Sequence, residues 1–129
     1  MTNICSKSDK RLIVECDVGG KTANFLIDTG ASLGLIDDNQ RKKYNLIVGR
    51  NYNGTIIGAG GELNNPRMCD TFVKLKDKTI TQFILTDISG IVDSIKRETG
   101  IKILGIIGLP QMKFAGIQID TNDSMIMLE

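Results

Sequence analysis

Apolar and polar positions alternate over residues 12–18, with Leu12, Val14, Cys16 and Val18 set against Ile13, Glu15 and Asp17. That period of two predicts a half-buried strand. Gly19-Gly20-Lys21 closes a hairpin, and residues 22–27 form the returning strand, which ends at Asp28. Leu33-Gly34-Leu35-Ile36 continues as apolar backbone. Residues 37–44 predict a short helix, acidic at its start and basic at its end, with Asp37 as N-cap. That cap accounts for Asp37 and Asp38 better than a pair of magnesium ligands does. Leu46-Ile47-Val48 resumes a strand, and residues 52–62 place β-formers before a tip with three glycines in four residues, a hairpin with a very mobile tip.

Two more strands are predicted at 71–76 and 79–85, around a turn at Asp77-Lys78. Ile88, Ile91, Val92 and Ile95 then switch the period to that of a helix face, with Gly100 as its stop. Residues 101–108 are apolar enough for a central strand, and residues 109–113 form a short helix with Pro110 in its first turn. A terminal hairpin over 117–120 and 125–128, turning at Asn122-Asp123, closes the chain. Residues 1–10 carry little apolar pattern and are expected to fray or to lie over the surface as a flexible segment. The sum is a mainly β chain with about three short helical pieces.

Within this pattern one junction needs a chemical reason. Phe25-Leu26-Ile27 delivers a carboxylate, Asp28, followed by Thr29, Gly30, Ala31 and Ser32. An aspartate at the end of an apolar strand must be hydrogen-bonded, paired or solvated in a cleft, because an isolated buried carboxylate is costly.

Composition narrows the chemistry. The chain has 129 residues, enough for one domain, and 16 basic against 15 acidic residues give a net charge of +1. Apart from Arg41-Lys42-Lys43 the basic residues are scattered, so no nucleic-acid partner is indicated. No apolar run approaches the ~18 residues of a membrane span, and residues 1–11 lack the apolar core of a signal peptide, so a cytoplasmic protein is expected. With no histidine, Ser-His and Cys-His nucleophiles and His-ligated zinc are excluded. Cys5, Cys16 and Cys69 are odd in number and lack metal-site spacing, so each is read as a buried small hydrophobe in a reducing compartment, and no metal or cofactor is called for. Carboxylate chemistry is what remains. The glycine-rich hairpin is a poor phosphate cradle, because no helix with a Lys-Ser/Thr start follows it.

The order Val18-Gly19-Gly20-Lys21, Phe25-Leu26-Ile27-Asp28-Thr29-Gly30-Ala31-Ser32, a helix, a glycine-tipped hairpin and Ile106-Ile107-Gly108 resembles the retropepsin-like aspartic proteases over nearly all of residues 11–128. It is most similar to the cellular and retrotransposon members, including the protease-like domain of DNA-damage-inducible shuttle proteins. The resemblance implies an acid-protease closed β-barrel with one Asp-Thr-Gly lobe per chain. It implies that Asp28 is catalytic, that Thr29 locks two active-site turns together, and that Gly30 and Ala31 offer backbone to a polypeptide substrate. It makes residues 52–63 a flap, with Ile57, Gly58, Ala59 and Gly60 near the substrate main chain, and has Ile106-Ile107-Gly108 support the catalytic loop. Two features depart from the pattern: Pro110 stands where many relatives have aspartate, and residues 88–100 form an inserted helix absent from the minimal viral enzymes.

Metal-free peptide hydrolysis needs a base to activate water and an acid to protonate the carbonyl oxygen, which two carboxylates sharing a proton can supply. The chain holds a single Asp-Thr-Gly, so the expected enzyme is a homodimer with one Asp28 from each subunit. The competing expectation is a catalytically inactive module of the same fold that dimerises or binds peptides. A small-molecule-binding barrel leaves the Asp28 turn unexplained.

Overall fold

The computed structural model describes residues 2–52, 57–58, 61–62 and 66–129. Strands β1 (Thr2–Cys5), β2 (Ile13–Val18), β3 (Lys21–Asp28), β4 (Gly34–Asp37) and β5 (Val48–Asn51) are followed by the short pair β6 (Ile57–Gly58) and β7 (Gly61–Glu62). Then come β8 (Arg67–Cys69), β9 (Val73–Leu75), β10 (Lys78–Ile80), β11 (Phe83–Thr86), helix α1 (Ser89–Thr99), β12 (Gly105–Gly108), α2 (Leu109–Ala115), β13 (Ile117–Asp120) and β14 (Met125–Leu128). Nine strands form one sheet in the order β10-β9-β2-β3-β12-β4-β11-β8-β5. It curls into a half-barrel, since Val73, Leu75 and Ile80 from one end share a core with Cys69 and Leu46 from the other and with Phe25, Phe83 and Ile107 between them. The expected mainly β acid-protease architecture is therefore present.

The predicted β2–β3 hairpin turns at Gly19 and Gly20, whose φ of 58° and 91° give the two left-handed positions a two-residue turn requires. At the centre of the sheet β12 runs parallel to β3 and antiparallel to β4, while β11 runs parallel to β4. Cross-strand partners build one row of side chains over six strands: Ile13, Leu26, Ile106, Leu35, Ile84 and Met68. Because side chains alternate along a strand, Asp28, two residues beyond Leu26, projects from this same face. Helix α1 covers the β2, β3 and β12 part of the row, packing Ile88, Val92 and Ile95 on Ile13, Leu26 and Ile106. Gly100 ends α1 at φ 77°, as predicted.

Asp37, only 2% exposed, ties the far end of the sheet together. Its Oδ1 accepts from the Asn39 N–H (3.2 Å) and Nδ2 (2.9 Å), its Oδ2 from Gln40 Nε2 (3.1 Å), and Oδ1 also faces the Ile88 N–H at 3.4 Å. The Asp37 cap is thus real, but the helix expected over 37–44 is a 3-10 turn at Asp38–Gln40 followed by looser turns. Eight residues are too few to hold an α-helix without an apolar face, and the Gln40 side chain is bound instead to the Ile103 carbonyl at 3.0 Å.

Four other expectations are corrected. Residues 2–5 do not fray: β1 pairs antiparallel with β14, using backbone hydrogen bonds that an apolar pattern does not report. The single strand expected over 79–85 is split, because β10 pairs with β9 and β11 with β4, and the chain turns between them at Gln82 (φ 69°). Only residues 105–108 of the run 101–108 are strand; the rest returns the chain from α1. Cys16 and Cys69 are buried as read, with burial pushing the Cys16 thiol up to about 12, but Cys5 is exposed beside Met125. Among the described residues no helix is long and apolar enough to cross a membrane.

A Cβ added at Gly105 would fall on the Leu35 carbonyl, whereas one added at Gly90, in the first turn of α1, meets open space. Gly105→Ala is therefore expected to lower the stability by about 3 kcal/mol. Gly90→Ala should raise it by up to about 1 kcal/mol. Urea unfolding of the two variants against the parent measures both, and equal midpoints would contradict the packing at Gly105.

Candidate active site

Asp28 is the last residue of β3, and the chain must leave the sheet there because Thr29, Gly30 and Ser32 are exposed and polar or small. The turn is closed by hydrogen bonds of its own: the Ala31 N–H donates to the Asp28 carbonyl (3.1 Å), and the Gly30 N–H donates to Asp28 Oδ1 (2.9 Å). That second bond fixes the direction of the half-buried carboxylate. Gly30 is required for closeness as well, since a Cβ there would lie 3.3 Å from Asp28 Oδ1. The Thr29 hydroxyl has no hydrogen-bond partner among the described residues.

The turn is held from outside by the β12–α2 junction. Gly108 is the register partner of Asp28, and a Cβ on it would sit 2.9 Å from the carbonyl oxygens of both Ala31 and Leu33. The Leu109 N–H donates to the Ala31 carbonyl at 3.0 Å. Gln111, 7% exposed, completes the clamp: its Oε1 accepts from the Gly108 N–H (2.9 Å) and its Nε2 donates to the Thr81 carbonyl (2.7 Å). Two orphan groups, one at the end of β12 and one in the link between β10 and β11, are thereby satisfied by one amide. Sequence reasoning missed Gln111, although a Pro in the first turn with Gln at the third helical position is a helix-start signal.

Arg11 was missed too. Extending the β2–β3 register places it opposite Asp28, on the same face as Ile13 and Asp28. Its guanidinium grips Glu98 of α1 with Nε–Oε1 at 2.9 Å and Nη2–Oε2 at 3.1 Å. This raises the Arg11 pKa, chiefly through the Glu98 hydrogen bond and charge, with a smaller contribution from Asp28, and lowers that of Glu98.

Of the residues expected to meet substrate, Ala31 is half-buried beside the turn, and the Ile57 and Gly58 backbone pairs with Glu62 and Gly61 as a hairpin. Ala59 and Gly60 lie outside the described residues. The structure therefore brings together Asp28, Thr29, Gly30 and Ala31 with the Ile106-Ile107-Gly108 support. Among the described residues no group of three ligating side chains forms a metal site.

Replacing Gln111 with leucine, close to it in size, would leave the Gly108 N–H and the Thr81 carbonyl without their partner. The expected cost is about 2 kcal/mol, read by urea unfolding. An unchanged midpoint would show that the clamp does not hold the turn.

A family model described as aspartyl protease matches residues 14–110. No curated protein sequence shows a significant match. Among solved structures the chain is similar to the EIAV protease in complex with the inhibitor HBY-793, with 21% identity, a TM-score of 0.64, and coverage of 91% of this chain and 99% of that one. A retropepsin-like aspartic protease from Rickettsia conorii matches at 17% identity and a TM-score of 0.58, over 98% of this chain and 88% of that one. The retroviral protease-like domain of Ddi1 from Leishmania major matches at 17% identity and a TM-score of 0.56, over 92% and 88%. At these identities the structures establish the retropepsin fold, and the family match over residues 14–110 places the chain in the aspartyl protease family.

Proposed function

We propose that the protein is an aspartic endopeptidase that cleaves polypeptides as a homodimer, with one Asp28 carboxylate from each subunit. The observation that carries this reading is the Asp28 carboxylate itself, half-buried at the end of an apolar strand and aimed by the Gly30 N–H at 2.9 Å. Supporting it, the sequence holds one Asp-Thr-Gly, so a carboxylate pair calls for a second copy on a two-fold axis.

In the dimer one Asp28 is ionised and the other protonated, since two carboxylates close enough to share a proton cannot both ionise. The ionised carboxylate takes a proton from water as the water oxygen bonds to the substrate carbonyl carbon, and the protonated one gives its proton to the carbonyl oxygen. As the C–N bond breaks, the resulting diol returns one proton to the carboxylate that had given its own, and the leaving nitrogen takes the proton that the other carboxylate drew from water. The pair ends with a single proton, ready for another cycle. Thr29, exposed at the tip of the turn, is suited to bond the partner's turn, and the Gly30 and Ala31 backbone is suited to hold the substrate chain. The hairpin that includes Ile57 and Gly58, with Ala59 and Gly60, serves as the flap. The three cysteines remain thiols in a reducing, cytoplasmic setting.

Asp28→Asn is nearly isosteric, so the variant should fold and dimerise but be nearly inactive. With free exchange and random pairing, an equal mixture of parent and variant leaves about one quarter of the dimers with two aspartates. At fixed parent concentration, and with dimers saturated, total activity falls to about half, because half of the parent chains enter mixed dimers. Peptide cleavage after long co-incubation measures this, and constant activity despite demonstrated exchange would overturn the shared site. The parent's pH–rate profile should be bell-shaped, since the pair works with one proton. A folded parent that binds peptides without cleaving them would favour the inactive-module reading.

A further inference from the structure

Helix α1 covers only part of the face that bears Asp28. Beyond the helix, beside β11 and β8, lies a cavity of about 440 Å³ whose apolar lining is the half-buried Leu33 and Met68 and the buried Ile84. Its rim is polar and cationic, from Arg50, Asn51 and Gln82. Tyr52 also lines it, and the Tyr52 N–H is bound to the Pro66 carbonyl at 2.9 Å, at the base of the segment that carries the β6–β7 hairpin. Leu33 lies against Gly108, the register partner of Asp28, so the cavity begins two to three strand spacings from the carboxylate, roughly 10–15 Å. Three or four residues of extended polypeptide cover that distance at ~3.3 Å each.

Two further observations bear on what enters. Gln82 holds a left-handed φ of 69°, which costs a non-glycine residue energy, and its side chain lines both this cavity and a neighbouring one of about 400 Å³. Arg50 also lines both cavities, whereas Asp70, whose carboxylate stands against Gly49, lines only the neighbour, so Arg50 is the one charged residue among the described lining of the cavity nearer Asp28.

We infer that this cavity is a specificity subsite for a glutamate side chain of the substrate, three or four residues from the cleaved bond, with Arg50 as its determinant. The inference rests on the endopeptidase reading above. Glutamate matches both halves of the site: its methylenes lie on Leu33, Met68 and Ile84, and its carboxylate meets the Arg50 guanidinium and the Gln82 amide. A wholly apolar side chain would fill the floor and leave the rim groups without partners, and a lysine would face a like charge.

The test is a set of internally quenched peptides in which one position at a time carries Glu, Gln, Leu or Lys. With the parent, one position three or four residues from the cleaved bond should prefer Glu over Lys by about tenfold in kcat/KM, a difference of about 1.4 kcal/mol. Arg50→Glu should reverse that order at that position only, and Arg50→Gln should flatten it. Arg50 is exposed, so both variants should fold. Cleavage with the same Glu-to-Lys ratio in parent and Arg50→Glu would overturn the subsite while leaving the endopeptidase reading intact. If the parent cleaves nothing, that reading fails, and fluorescence anisotropy with the same peptides decides the subsite by itself. Preferential binding of the Glu peptide that is reversed in Arg50→Glu sustains it, and equal binding of Glu and Lys peptides overturns it.

Discussion

The placement of Asp28 beside Gly108, at the ends of two parallel strands, is the constraint on which the rest of the molecule depends. Parallel neighbours need a long connection, and here 76 intervening residues of chain, from residue 29 to 104, separate β3 from β12. The return is exact in register only because the three glycines Gly34, Gly105 and Gly108 let side chains and carbonyls come closer than a Cβ allows. Gln111 occupies the space left at Gly34, and from there its amide reaches the Gly108 N–H and the Thr81 carbonyl. One amide and three glycines thus fix where the Asp28 turn begins.

The face carrying Asp28 is divided between stability and access. Burying Ile88, Val92 and Ile95 is worth about 1.5–3 kcal/mol each as an upper range, which is ample to seat an 11-residue helix. Exposed ion pairs contribute little, so the Arg11–Glu98 contact orients the end of α1 rather than holding it down. Beyond α1, Leu33 and Met68 are only half-buried and line a cavity of about 440 Å³ with the buried Ile84.

Most of the fold was legible where side-chain pattern and burial coincide. The β2–β3 hairpin, α1 with its Gly100 stop, and the terminal hairpin each carry a period or a glycine that only one local structure satisfies. Elements held by backbone pairing were not: β1 is mostly exposed, and β8, Arg-Met-Cys, is three residues long and is anchored by the Arg67 guanidinium on the Gly49 carbonyl at 2.7 and 3.1 Å. The Asp28 turn announced itself because a carboxylate, a hydroxyl and a glycine interrupt an apolar run. Gln111 and Arg11 did not, since each acts across the sheet from a position whose local context is an ordinary helix start or an ordinary polar loop.

Arg11 shows how the surroundings of the Asp28 carboxylate are set by the neighbouring helix. A guanidinium opposite Asp28 on the same face would, if free, be the natural partner for that carboxylate and would hold it in a closed ion pair. Helix α1 supplies Glu98 instead, and the Nε and Nη2 donors are both taken in a bidentate grip. Among the described residues Asp28 then accepts only from the Gly30 N–H, a neutral donor within its own turn. The remaining carboxylate oxygen is left for whatever approaches the face, and the arrangement keeps a positive charge near without spending the carboxylate on it. Helix α1 is therefore coupled to the Asp28 turn through Glu98 as well as through the apolar row beneath it.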